Sequence, residues 1–314
     1  MSDDQLAMRI DHMLLAVGDL EASTSNFRDA LGMNVMVGGE HPGGGTYNSL
    51  AHVRSAYLEL IAVNDPTAEK AKQFVRHLES GDAPYTFALA VSDLDATIGQ
   101  LRKRGLDAEQ SYDGSRRTPG GTLLRWRAAF LRPGPAGLGS DSPPLPFMIQ
   151  WMNDEAGNGW FEERVSLSDH PIAWAAVDSI LIASAQPEAL VAEYSQLLGW
   201  LPEQVDAAPG LRLTLPNGDS VNPSLGPSPG VRVLGPSDAA TNASIGFAIE
   251  RRLTDHGAGI IGMAIQVENV REVANAIAAR GTLVDVQADG HFAAVYPPSA
   301  NGLLLVLVPN AVDG

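Results

Sequence analysis

The stretch Ile10-Asp11-His12-Met13-Leu14-Leu15-Ala16-Val17 is an apolar run interrupted by an acid and a histidine, followed by Asp19-Leu20 and, one helical stretch later, by Leu31-Gly32. Its length and composition read as a buried strand, Asp19 as a residue suited to cap a helix, and Gly32 as the residue that ends that helix left-handed. The same signals return three times. Tyr85-Thr86-Phe87-Ala88-Leu89-Ala90-Val91 leads to Asp93-Leu94 and Gly105, Val177–Ala183 leads through Gln186-Pro187 to Leu198-Gly199, and Ile260–Val267 leads through Asn269-Val270 to Arg280-Gly281. From capping position to glycine the separation is 13 for Asp19 to Gly32, 12 for Asp93 to Gly105, 13 for Gln186 to Gly199 and 12 for Asn269 to Gly281. That alternation groups the copies as two pairs, one in each half of the chain.

Behind the first glycine come shorter segments with turn punctuation, Met33–Val37, Leu50–Arg54 and Tyr57–Val63. Each unit therefore reads as strand, helix and three strands. The expected fold is α+β: four βαβββ units in two pairs, each pair a curled antiparallel sheet shaped as a cup with its helices outside. The halves span about residues 8–155 and 172–310, and the turn-rich stretch Asn153–Pro171 divides them. Gly/Pro/Ser-rich loops are expected at 134–146 and again at 209–236, where the strands of the third unit are hard to place.

The whole chain fits this division, since 314 residues suit about two domains and 45% hydrophobic content is ample for two cores. Thirty-seven acids against 21 bases leave a net charge of −16, which argues against nucleic acid as a partner, because phosphate backbones need clustered Lys and Arg. With no cysteine there is no disulfide, no thiolate zinc site, no iron–sulfur cluster and no cysteine nucleophile, so any metal must sit on His, carboxylate, amide or hydroxyl ligands. The polar, acidic N-terminus and the lack of an apolar run near the roughly 20 residues of a membrane span point to a cytoplasmic protein with no membrane partner. No Gly-x-Ser-x-Gly motif occurs. The glycines at 43–45 lack the context of a dinucleotide or Walker loop, so no nucleotide cofactor is expected. His256 and His291 sit in turns and read as exposed.

Paired units of this kind, with an opening like Ile10-Asp11-His12-Met13 and a last strand like Tyr57-Leu58-Glu59-Leu60, resemble the vicinal oxygen chelate superfamily, which holds glyoxalase I, extradiol dioxygenases and bleomycin-resistance proteins. The run His41-Pro42-Gly43-Gly44-Gly45-Thr46-Tyr47-Asn48 ahead of that strand is similar to the glyoxalase-like branch. The resemblance covers about residues 8–152 well and 172–309 more weakly. It implies a cup whose ligands come from the first and last strand of each unit, here His12, Glu59, Thr86 and Gln150. Thr86 stands where a histidine is usual and Gln150 where a carboxylate is usual. What remains is a divalent ion (zinc, nickel, manganese or iron) on His12, Glu59 and Gln150, with His52 as a substitute for the missing histidine. Strand alternation supports part of this independently, because His12 shares a face with Ile10 and Leu14, and Glu59 with Tyr57 and Ile61. A hydrogen-bonded His12–Glu59 pair in a metal-free pocket stays equally open. In the second half the matching positions are Ser179, Gly262 and Leu305, none a convincing ligand, which marks that half as a degenerate copy.

A run of basic residues, Arg116-Arg117, Arg125-Trp126-Arg127 and Arg132, is unusual in so acidic a chain. Arg125 and Arg127 share one face of a strand and Trp126 takes the other. Facing the cup, the two guanidiniums would bind a small anion bidentately; facing out, they would pair with the abundant acids. Two functions follow. One is a metal-dependent lyase or isomerase of glyoxalase type acting on a small carbonyl or hydroxy compound, with Glu59 moving the proton and His41, Asn48, His52, Tyr57, Arg125, Trp126 and Arg127 around the substrate. The other is a metal-free sequestering protein of the bleomycin-resistance type, with Trp126, Tyr57, Met148 and Trp151 as its apolar contacts. Since members of the superfamily also pair units between chains, a homodimer is an open expectation.

Overall fold

The structure, a computed structural model, describes residues 6–118, 121–135, 137–139, 141–152, 167–203, 209–221, 225 and 227–310. Most of the dividing stretch expected at Asn153–Pro171 lies outside the described residues.

Strands β1 (Arg9–Ala16), β2 (Met36–His41), β3 (Thr46–Val53), β4 (Ala56–Val63), β5 (Ala83–Ala90), β6 (Leu106–Ala108), β7 (Tyr112–Arg117), β8 (Leu123–Pro133) and β9 (Phe147–Trp151) form one sheet in the order β2-β3-β4-β1-β5-β9-β8-β6, with β7 paired to β8. Strands β10 (Ala176–Ala183), β11 (Leu201–Glu203), β12 (Leu211–Thr214), β13 (Gly230–Leu234), β14 (Gly259–Val267), β15 (Val284–Val286), β16 (Ala293–Val295) and β17 (Leu304–Pro309) form a second in the order β11-β12-β13-β10-β14-β17-β16-β15. The two orders are the same pattern written twice.

Both sheets are mixed, which corrects the expectation of antiparallel ones. Antiparallel pairing joins the two units of each half, β1 to β5 and β10 to β14. Within a unit, however, the first strand lies parallel to the last, as in β1 with β4, β5 with β9, β10 with β13 and β14 with β17. A helix crossover lets the first and last strands of one unit run the same way, which a chain of tight hairpins does not allow.

The repeat helices are α1 (Leu20–Asp29), α3 (Leu94–Lys103), α4 (Pro187–Leu198) and α6 (Val270–Ala278). Asp19, Asp93 and Asn269 each accept a hydrogen bond from the backbone N–H three residues on, as capping residues should; Gln186 makes no such bond and is followed by Pro187 at the first helical position. Gly32, Gly105, Gly199 and Gly281 all take positive φ, between 64° and 95°. The buried faces of these helices join one core with both sheets: Phe27, Ile98, Tyr194 and Ile277 share it with Met13 and Leu15 of β1 and with Ile180 and Ile182 of β10. Trp200, fully buried, meets Phe87 of the first sheet at a ring-centroid distance of 6.4 Å.

Two further helices lie on the opposite faces. Helix α2 (Lys72–Leu78) sets Phe74 and Leu78 against Leu14, Ile61 and Ala88 at one end of the first sheet's free face. Helix α5 (Ala243–His256), capped by Asn242, lays Ile245, Ala248 and Ile249 on Leu181, Ala264 and Val306 of the second. Among the described residues no helix is long and apolar enough to cross a membrane.

Candidate functional site in the first cup

The free face of the first sheet encloses a cavity of about 1240 Å³. On its floor β1 contributes His12 and Leu14, β3 Asn48, β4 Tyr57, Glu59 and Ile61, β5 Thr86, and β9 Phe147, Ile149 and Trp151. A local irregularity aims His12. The register of β1 against β5 passes from Ile10–Leu89 to His12–Ala88 and skips Asp11, so the strand bulges there. The bulge brings Asp11 beside its neighbour, where Asp11 Oδ2 accepts from His12 Nδ1 at 2.7 Å. With Nδ1 bonded to Asp11, His12 turns Nε2 toward the cup, where Glu59 Oε2 stands. The ring is held flat against Tyr57, with centroids 4.5 Å apart and planes 17° apart, and edge-on to Phe147 at 5.5 Å.

Glu59, buried, lies diagonally across from His12, since its direct partner on β1 is Leu14. Its Oε2 is 3.4 Å from His12 Nε2 and its Oε1 is 3.7 Å from His41 Nε2. Asn48 Nδ2 donates to Glu59 Oε1 at 2.7 Å and to His41 Nε2 at 3.2 Å. His41 is therefore an acceptor at Nε2 and a donor at Nδ1, where Thr46 Oγ1 stands at 2.8 Å. Burial holds the His41 pKa below the ordinary imidazole range; the Glu59 charge pulls it the other way, and Arg116 and His12 push it further down. Asn48 Oδ1, the other end of the amide, is buried without a hydrogen-bond partner, against Gly38, where a Cβ would stand 1.9 Å away.

The structure thus brings together His12, Glu59, His41, Asn48 and Tyr57, sets Thr86 and Trp126 on the same cavity, and places Gln150, Arg125, Arg127 and His52 outside it. Gln150 is on the other face of β9, where Oε1 accepts from the N–H of Leu94 at 3.1 Å and Nε2 donates to the carbonyl of Ser92 at 3.0 Å. It ties down the start of α3 and cannot share an ion with His12 and Glu59. The position related to Glu59 by the pairing pattern is Phe147: Glu59 pairs with Leu14, two residues beyond His12, and Phe147 with Ala88, two residues beyond Thr86. Arg125 and Arg127 face outward. Arg125 is exposed, and Arg127 makes a two-pronged pair with Asp95 at 2.8 and 3.1 Å. His52, buried, pairs with Tyr57 at the far end of β3, two positions beyond the residue facing Glu59, and does not line the cavity. Met148 belongs to the core face of β9.

Two contributors, Asp11 and Tyr112, escaped the sequence reading, and of the basic run Arg116 rather than Arg125 or Arg127 lines the cup. Strand β7 alternates Tyr112, Gly114 and Arg116 toward the cup, a period-two signal that was available. Trp126 of β8 pairs with Gly114 and lies over it, because any Cβ on Gly114 would come within 2.3 Å of the indole. Arg116 is buried and donates to the carbonyl of Gly38 at 3.0 Å. Burial pushes the Tyr112 hydroxyl up to about 12, with Glu59 and Glu109 adding to the effect.

Chemically, the floor gathers two imidazoles and one carboxyl group. Among the described residues no group of three or more His, Cys, Asp and Glu side chains is placed so as to hold a metal ion. The Asn48 amide nitrogen occupies the gap between His41 and Glu59.

Comparison with known proteins agrees with this architecture. The glyoxalase-like domain model matches residues 10–198, more than half of the chain. No curated protein matches the sequence. Among solved structures, a hypothetical protein from Staphylococcus aureus shares the fold end to end, at 12% identity and a TM-score of 0.64 over 96% of this chain and 99% of that one. A fusion of a xylose isomerase-like TIM barrel with a 4-hydroxyphenylpyruvate dioxygenase aligns at 12% identity and a TM-score of 0.51, over 99% of this chain and half of that one. A methylmalonyl-CoA epimerase from Streptomyces coelicolor aligns with 46% of this chain and 98% of its own, at 23% identity and a TM-score of 0.35. By its matched domain and its paired βαβββ units, this chain belongs to the glyoxalase-like domain family of the vicinal oxygen chelate superfamily.

Proposed function

We propose that this chain is a glyoxalase-like lyase or isomerase acting on a carbonyl or hydroxy compound in the first cup, with a divalent cation held by His12, Glu59 and His41. One observation carries the reading. His12 Nε2 stands 3.4 Å and His41 Nε2 3.7 Å from the two oxygens of Glu59, and Asn48 Nδ2 is the donor that bonds both Glu59 Oε1 and His41 Nε2. Converging acceptors of this kind are costly unless a cation or a shared proton occupies the space between them.

The residue types suit such an ion, but as placed they do not enclose one, because Asn48 Nδ2 stands between His41 and Glu59. Imidazole and carboxylate are ligands for zinc, nickel, manganese and iron, and both imidazoles have Nδ1 anchored, one by Asp11 and one by Thr46, as outer partners of ligating histidines usually do. Two donors roughly 2.1 Å from one ion stand roughly 3–3.4 Å apart, close to the 3.4 Å between His12 and Glu59. A turn of the Asn48 amide would replace Nδ2 with Oδ1, the atom that lacks a partner. Bound there, a divalent cation supplies Lewis-acid polarisation of a substrate oxygen.

The chain's own groups do the rest. Glu59 takes a proton from the substrate and returns it, with Oε1 steadied by Asn48 and Oε2 facing His12. Asp11 fixes the orientation of His12, while Tyr57 and Phe147 hold its ring in place. Metal analysis of dialysed protein tests this reading: about one equivalent of divalent metal is expected in the native chain and much less in His12→Ala. Metal-free protein whose melting temperature is indifferent to added zinc, nickel, manganese or iron overturns it. That outcome would favour a metal-free sequestering protein, a reading supported by the cavity's lining, which takes eight of the chain's nineteen aromatic side chains.

A further inference from the structure

The cavity is too large and too aromatic for a three-carbon substrate. Sites for drug-sized ligands run from roughly 300 to 1,000 Å³, and this one is about 1240 Å³. One wall is built as a flat platform. Gly114 has no side chain, so Trp126 lies across β7 between Tyr112 and Arg116, and Trp151 meets it edge-on at a centroid distance of 5.7 Å. An aromatic guest can stack there with little loss of side-chain freedom, since each indole is already held.

The wall also carries positive charge. In a chain of net charge −16, five Lys and Arg side chains line the cavity against four acids, and one of those acids is Glu59 itself. Lys72 pairs with Glu69, and Arg132 with Asp107. Lys70 makes no ion pair among the described residues; its Nζ stands 4.1 Å from the centre of the Tyr112 ring. Held over an aromatic face rather than by a carboxylate, an ammonium keeps its charge available to an anion at modest cost. Arg116 adds a fixed charge two positions beyond Gly114 on the same strand face.

We infer that the first cup takes a ligand with a flat aromatic body and one anionic group, the body stacked on Trp126 beside Trp151 and the anion met by Lys70 at the Tyr112 end of the wall. This rests on the proposed function only in assigning the ligand to the same cup. Calorimetric titration of the full chain with 2-naphthoate, its uncharged amide 2-naphthamide, and the aliphatic acid octanoate tests it. The acid is expected to bind about tenfold more tightly than its amide, as one charge-assisted contact gives, and more tightly than octanoate. Lys70→Met should abolish the preference for acid over amide and leave the amide's affinity unchanged. Equal affinities for naphthoate and naphthamide, octanoate binding as well as naphthoate, or no binding of naphthoate at millimolar concentration each overturn it. Metal content measured on the same samples separates the two claims: the ranking holds with or without bound metal if the ligand class is right, whereas metal-free protein counts against the catalytic reading alone.

Discussion

The two cups are built on one frame and furnished oppositely. Strand β10 bulges at Asp178 as β1 does at Asp11, and each bulge sets a buried acid beside the next residue, His12 in one sheet and Ser179 in the other. Two residues further on, Leu14 pairs with Glu59 in the first sheet, and Leu181 pairs with Arg232 in the second. The carboxylate of the first cup is thus a guanidinium in the second. Thr86 corresponds to Gly262 and Phe147 to Val306. Leu305, which the sequence suggested as the last of these positions, faces the core, because a shift of one residue along a strand exchanges its two faces.

The difference teaches what keeps a cup functional. In the second, Asp178 accepts from Arg232 and Ser179 and pairs with Arg212, so its charge is met by protein groups, and α5 fills the remaining space with Ile245, Ala248 and Ile249. In the first, His12 and Glu59 face each other over an open cavity that only α2 partly covers. Charge neutralised from within makes a structural element; converging lone pairs left open make a site.

This contrast can be broken at several points. The largest effect is expected from Arg232→Met, which removes a buried partner of Asp178 and should cost about 3 kcal/mol of unfolding free energy in a denaturant titration. A variant as stable as the native chain would show that Arg212 alone suffices. At the matching position of the first cup, Glu59→Gln should change stability by less than about 1 kcal/mol while abolishing the metal retention on dialysis that the proposed function requires of the native chain. Next, Asp11→Asn should weaken metal binding by about 10–100-fold in a chelator competition, as loss of an outer partner does, and Asp178→Asn should leave it unchanged. Equal effects from the two would erase the distinction between the cups.

A pH titration sharpens the comparison further. Burial alone would raise the Asp178 pKa, but the charges of Arg212 and Arg232 and the bonds from Arg212 and Ser179 more than offset it, so the folded-state value lies below the ordinary 3.8. A depressed carboxylate contributes stability that is fully present above its unfolded pKa and lost as pH falls through the folded one. Unfolding free energy should therefore fall below about pH 4 in the native chain, and Asp178→Asn should start lower and show a flatter acid limb. The smallest effect belongs to Gln150→Ala, expected to cost at most about 1 kcal/mol through its bond to the start of α3, with metal content untouched.

Much of this was legible in the sequence because it is local. Each repeat declares itself through a strand, a capping residue and a closing glycine whose positive φ the turn requires, and these signals sit within about a dozen residues. Glu59 was legible for the same reason, as a polar residue on an apolar strand face whose alternation fixes its direction; His12 stood out as a polar residue in an apolar strand, but the bulge at Asp11 puts Ile10, expected on its face, into the core instead. Gln150 was misassigned because the register of β9 follows a long irregular loop at 134–146, and no local pattern specifies where pairing resumes. The outward turn of Arg127 is held by Asp95, some 30 residues away in α3.

The four units, their pairing in halves and the place of Glu59 on the floor of the first cup follow from the sequence, since helix caps, glycine turns and strand periodicity act over short distances. Only the tertiary structure decided the rest. The bulge at Asp11 aims His12, the loop of His41 folds back over Glu59, Trp126 lies down over Gly114, and one helix fills the second cup while the first stays open. Each of these joins segments far apart in the chain, and their energies come from burial and from the pairing of charges that meet only once the chain has folded.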